Sequence, residues 1–279
     1  MRTRKRQGWH RYINVVTIGA TLTVLFVVLP LLWMISSSFK GPAGIGSSSV
    51  LPHNVSTINY TSAFEHNGFG HYILNSVIVA VISTVLVLFF ATMAGYALGR
   101  LPMRAKVPVM VTLLMISVFP AIAVIEPLFL LMKNLGWLNS YQALIVPYTA
   151  FNLPFATWIL RNYMLGIPKE MEETARIDGA GPITTLWKII IPQARPGLFT
   201  AGIFTFTACW TEFLMAISFN SVNTFRTIPV GIALFGSQFT IPFGTIFAGS
   251  TAAAIPIAVL VLVFRKSVVS GLTAGAVKG

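Results

Sequence analysis

Only seven acidic side chains occur in this chain of 279 residues. Four of them, Glu170, Glu172, Glu173 and Asp178, fall in one stretch, PKEMEETARIDGAGPITTLWKIIIP (168–192). Two more, Glu126 and Glu212, lie inside apolar runs, where an ionisable group marks a transport pathway or a paired structural contact. Grouped carboxylates can do acid–base work, hold a cation, or dock against a partner. The histidines His10, His53, His66 and His71 form no H-E-x-x-H pair, and no G-x-S-x-G elbow occurs. No G-x-x-x-x-G-K-[ST] loop is present, so the chain has no phosphate cradle with which to hydrolyse ATP. A membrane-embedded enzyme is therefore a poor reading, and neither a metal site nor a cofactor is expected in this chain.

The elements that must position these acids are set by composition. Hydrophobic residues make up 55% and charged residues 9%, with a mean hydropathy of +0.79. Soluble domains carry about a quarter charged residues, so this chain could not cover a water-facing surface. Its solvent is mostly lipid. The lone Cys209 excludes an intrachain disulfide framework. The net charge of +12 does not imply nucleic acid, because the basic residues are scattered among apolar runs instead of forming one stripe.

A spanning helix needs about 20 mostly apolar residues. Six segments qualify, at about 13–36, 72–98, 107–132, 142–165, 198–219 and 244–264. Their continuous apolar character, without period-two alternation, predicts helices and not barrel strands: an all-α integral membrane protein. With the N-terminus inside, the inner segments hold 16 Lys and Arg and the outer segments only Lys40, Lys133 and Arg226, which predicts an N-in, C-in topology. The basic start RTRKRQ belongs to a retained first span, since no A-x-A cleavage site closes the apolar run. The organisation expected is a basic N-terminus and first span (1–40), an extracytoplasmic loop (41–71), a five-span core (72–265) containing the acidic inner loop (166–197), and a cytoplasmic tail (266–279).

The acidic stretch thus lies in the longest inner loop. Pro168 suits a helix start, the three glutamates suit its positive first turn, and Gly179 suits the left-handed residue that ends it. A second short helix is expected from Pro182 through LWKIII to Pro192. Such a rigid knuckle either merely joins two spans or docks on a cytoplasmic partner; Met171, Ala175 and Ile177 offer a modest apolar surface for the latter.

The same stretch resembles the EAA loop of ABC importer permeases, whose pattern is E-A-A, three residues, G, nine residues, I-x-L-P. Glu173-Thr174-Ala175, Gly179 and Ile189-Ile190-Ile191-Pro192 occupy those places, with Thr174 for the middle Ala and Ile191 for Leu. IPKEMEETARIDGAG (167–181) and IIIPQARPGL (189–198) resemble the carbohydrate branch, and Trp210-Thr211-Glu212-Phe213 resembles its W-N-[DE]-F. The ending GLTAGAVKG (271–279) is similar to the smaller permease subunit of maltose-type importers.

The resemblance implies a type I ABC importer permease fold in a prokaryotic inner membrane and a role in sugar uptake, trehalose and maltose being plausible cargoes. It implies as partners a second permease subunit, two ATP-binding subunits carrying ATP and Mg, and an extracytoplasmic sugar-binding protein. The loop, with Glu170, Glu173, Ala175, Asp178, Gly179, Ile189 and Pro192, would insert into an ATP-binding subunit, and the tail would lie along the ATP-binding pair. Trp210, Glu212 and Asn152 are candidate cavity or gating residues, with packing or structural roles as their alternatives. Permeases for other solutes share the EAA loop. A stand-alone secondary transporter would use Glu126 and Glu212 for a coupling ion but has no use for such a loop.

Overall fold

The computed structural model describes residues 6–47, 49–236 and 241–273, with side chains from 14 to 264 among them. Tail residues 274–279, and with them most of GLTAGAVKG, lie outside the described residues. In chain order the helices are α1 (Arg6–Ser38), α2 (Ile58–Thr61), α3 (Phe69–Gly99), α4 (Lys106–Val118), α5 (Ala121–Asn134) and α6 (Gln142–Leu165). Then follow α7 (Glu170–Ile177), α8 (Pro182–Thr185), α9 (Ile191–Gln193), α10 (Arg195–Thr211), α11 (Leu214–Phe219), α12 (Ile228–Ala233) and α13 (Phe243–Thr273). Among the described residues the only strand-like pairing is an isolated antiparallel bridge between Lys40 and Val55. The protein is helical because lipid offers no partner for a free backbone amide, and a helix satisfies its own.

Among the described residues four helices are long and apolar enough to span a membrane: α1 over Asn14–Ser38, α3, α6, and α13 over Phe243–Phe264. Helices α4 and α5 meet at 90° and make a fifth if counted as one broken span. The break falls at Phe119-Pro120, both in extended conformation. A proline disfavours the helical state of the residue before it, and this one turns the expected third span into a corner. The run expected as a single fifth span is also two helices: α10, of 17 residues, stops at Thr211, and α11 restarts at Leu214.

The chain divides into two compact units. The first comprises Met1–Phe69 and Phe235–Ala254. Here the span of α1 is exposed on every side within the single chain, while its end is tied into the following loop. The buried Lys40 ammonium donates to the Ser49 carbonyl at 2.6 Å and lies 4.3 Å above the Trp33 ring. Asn59, part of a glycosylation-like Asn-Tyr-Thr, is buried, and its amide donates to the Ser38 and Lys40 carbonyls at 2.9 and 2.7 Å. That asparagine is a structural tie.

The second unit comprises Gly70–Leu234 and Ile255–Gly279, and is built on α3, α6 and α10. Its core joins Val87, Ala91 and Tyr96 of α3 to Ala156, Leu160 and Met164 of α6. Without a hydrophobic drive between helices in lipid, close approach must come from small residues. Gly95 of α3 supplies it: a Cβ there would stand 3.1 Å from the Arg161 amide nitrogen of α6. Gly197 does the same at the start of α10, where a Cβ would stand 2.5 Å from the Tyr163 ring.

Candidate functional site: the inner loop and the broken helix

Helix α7 begins one residue beyond its N-cap Lys169, with Glu170, Glu172 and Glu173 in its first turn. It ends in a full glycine cap. Gly179 has φ +83°, its amide donates to the Arg176 carbonyl at 3.0 Å, and the Ala180 amide donates to the Ala175 carbonyl at 2.8 Å. These paired bonds form a Schellman motif, which satisfies carbonyls that a helix end leaves free. The Thr174 hydroxyl donates to the Glu170 carbonyl at 2.9 Å, so a threonine in place of the usual alanine leaves no polar group unmet.

The helix has two faces. Glu172 and Ala175 are buried and Met171 is half-buried, whereas Glu170, Glu173, Asp178 and Gly179 are exposed. Of the three residues expected to form an apolar contact surface, Met171 and Ala175 thus turn inward and only Ile177 projects. It is 86% exposed, and across the glycine turn Ile183 is 75% exposed. The capped turn thus leaves an isoleucine exposed on either side of Gly179.

Beyond the turn, α8 runs through a π-helical turn at Leu186–Ile190 into α9. Leu186, Ile190 and Ala194 enter the core beside α3 and α6, with Ile189 and Pro192 half-buried behind them. The second half of the loop is thereby seated on the spans, and the first half meets them through Met171 and Glu172 while its other face is exposed.

The other candidates lie away from the loop, around the break between α10 and α11. Glu212 is extended, at ψ 132°. Its carboxylate accepts the Met215 and Ala216 amides at 2.8 and 3.1 Å, capping the first turn of α11. The buried Tyr148 hydroxyl of α6 donates to the same carboxylate. A carboxylate in an apolar span is satisfied here by two backbone donors and one phenol. Asn152, one turn along α6, donates to the Tyr148 carbonyl at 2.8 Å and contacts the Cys209 sulfur at 3.7 Å. Trp210 is 3% exposed and stacks on Phe206 at 5.5 Å, so its ring is engaged in packing. Glu126 is exposed on α5.

The sequence reading missed Arg100, Glu172 as a buried group, and Tyr148. Arg100 Nε lies 3.1 Å from Glu172 Oε1, and its Nη2 donates to the carbonyls of Met164 and Ile167. The sequence signal for Glu172 was its place beside Glu173, one face of α7 away; Arg100 and Tyr148 carried none.

Residues 89–269 match the family model of the binding-protein-dependent transport system inner membrane component. The sulfoquinovosyl glycerol transport system permease protein of Agrobacterium fabrum is 38% identical over 264 residues, 94% of this chain and 93% of its own. The trehalose/maltose transport system permease protein of Thermococcus litoralis is 38% identical over 265 residues, 94% of this chain and 95% of its own. Among solved structures, a chain of a bacterial ABC transporter that imports alginate superposes with a TM-score of 0.77 at 23% identity, over 95% of this chain and 98% of that one. The chain belongs to the family of binding-protein-dependent transport system inner membrane components: it is a non-catalytic permease subunit of an ABC importer.

Proposed function

We propose that this chain is one permease half of an ATP-driven importer for a di- or oligosaccharide, of the trehalose or maltose kind. It works with a second permease, two ATP-binding subunits that hold ATP and Mg, and an extracytoplasmic sugar-binding protein. In this reading the fold is the six-span type I arrangement, N-in and C-in, with α4–α5 and α10–α11 as broken spans. The carbohydrate class is supported by the sugar cargoes in the names of relatives that are 38% identical across the chain.

The observation that carries the coupling role is α7 itself. A helix capped by Gly179 displays Glu170, Glu173 and Ile177, with Asp178 at its end and Ile183 just across the turn, from a loop that is an inner one if the 16-to-3 distribution of basic residues follows the positive-inside rule. Ala175 is buried on the same helix, and Leu186 and Ile190, beside the half-buried Ile189 and Pro192, seat the second half of the loop on the spans. An ATP-binding subunit that grips α7 differently in its open and closed states could shift the permease between two conformations; equal grip in both would shift nothing.

The test is uptake into vesicles holding the purified complex, with labelled trehalose, maltose and an amino acid as cargo. ATP-driven uptake of a sugar is expected. Uptake by this chain alone without ATP would mean a secondary transporter, and ATP-driven uptake of the amino acid alone would overturn the carbohydrate assignment.

A further inference from the structure

The end of α3, the end of α6 and the start of the inner loop meet at one side chain. Arg100 follows directly on α3, and its side chain is only 3% exposed. Its Nη2 donates to Met164, in the last turn of α6, and to Ile167, in the link to α7. Its Nε faces Glu172 of α7, whose side chain is 7% exposed, at 3.1 Å. Carbonyls at a helix end lack intrahelical donors, and a planar guanidinium serves two of them from one nitrogen while holding another beside a carboxylate, in a fixed geometry that a flexible ammonium lacks.

We propose that Arg100 is a strut making α7, the end of α6 and the end of α3 move as one piece, with Arg100 and Glu172 as positioning residues for coupling. This rests on the functional reading above. The link at 166–169 carries no regular helix, so by itself it would absorb a push on α7 by bending. A buried ion pair resists being half broken, because separating its members strands a charge out of water. The pair therefore passes displacement of α7 to α3 and α6, which the close approach at Gly95 already holds side by side.

The test compares sugar transported per ATP hydrolysed by the whole complex in vesicles. Glu172→Gln should lower that ratio tenfold or more in a complex that still assembles and hydrolyses ATP. Glu172→Asp should recover part of it, and Arg100→Lys should fall between. A Glu172→Gln complex with the unmodified ratio overturns the strut. If these variants fail to assemble, spin labels at the exposed Arg104 and Thr174, in a Cys209→Ala background, decide: their separation should be the same without nucleotide and with ATP trapped. A shift beyond the width of the distance distribution overturns the proposal. The unmodified complex reports separately on the functional reading, since absence of ATP-driven sugar uptake there sinks that reading and the strut with it.

Discussion

The two ends of the α3–α6 pair are held in opposite ways. At the end where both helices begin, the fully buried Asn75 donates to the carbonyls of Thr224 and Arg226 at 2.9 and 2.8 Å and accepts from the Tyr141 hydroxyl at 2.8 Å. Nearby, Asn220 accepts the Ser140 amide and donates to the Ser140 and Phe225 carbonyls, and Ser76 accepts the Ile228 amide. Many short, neutral ties knit several segments of backbone there. At the end beside α7 a single arginine gathers three elements, and the loop beyond it leaves Ile177 and Ile183 exposed. In the proposed reading the first of these ends is the outer one, organised to stay as it is, and the second is the inner one, organised to be pushed.

Substitutions at the two ends should therefore fail differently. The largest effect is expected for Asn75→Leu, which takes from the Arg226 carbonyl and the Tyr141 phenol the partner they share, each loss worth about 1–3 kcal/mol, while the Thr224 carbonyl keeps His71 Nε2 at 2.7 Å. Melting of the purified complex in detergent should drop sharply, while any complex that survives transports with an unaltered amount of sugar per ATP. Next comes Gly197→Val, which drives a side chain into the Tyr163 ring and costs about 1–3 kcal/mol by overpacking; thermal melting checks it, and an unchanged midpoint would mean that Tyr163 swings aside freely.

Smaller in stability but larger in function is Gly179→Val. A left-handed residue with a branched side chain costs about 1–2 kcal/mol, spent locally at the end of α7. Membrane insertion should persist while ATP hydrolysis uncouples from uptake; loss of insertion would instead make the loop a structural element. The least disruptive is Glu212→Gln. It keeps an acceptor for α11 but weakens a charge-assisted cap, at about 1 kcal/mol. Transport should weaken in a complex that still assembles, and unchanged transport would reduce Glu212 to packing.

What the sequence could and could not reveal follows the range of the interactions. The helix, glycine break and second helix of the inner loop were legible because each rests on local backbone rules: acids at a positive helix end, and a glycine at φ +83°. The corner at Phe119-Pro120 was half legible, since Pro120 announces an interruption but not its angle. The break after α10 was hidden, because TACWTEFLMAISF reads as one continuous apolar run and only a folded Glu212 can cap α11 from within it. Arg100 with Glu172, and Tyr148 with Glu212, join residues more than sixty positions apart. No spacing rule in a single chain reaches that far.

The central claim is that the inner end meets the ATP-binding subunit and the outer end does not. A photo-crosslinker at Ile177, and in a separate complex at the exposed Val222 of the outer loop, tests it directly. Irradiation of the assembled importer should join Ile177 to an ATP-binding polypeptide and leave Val222 without one. Capture of that polypeptide from Val222, or only lipid from Ile177, would contradict the account.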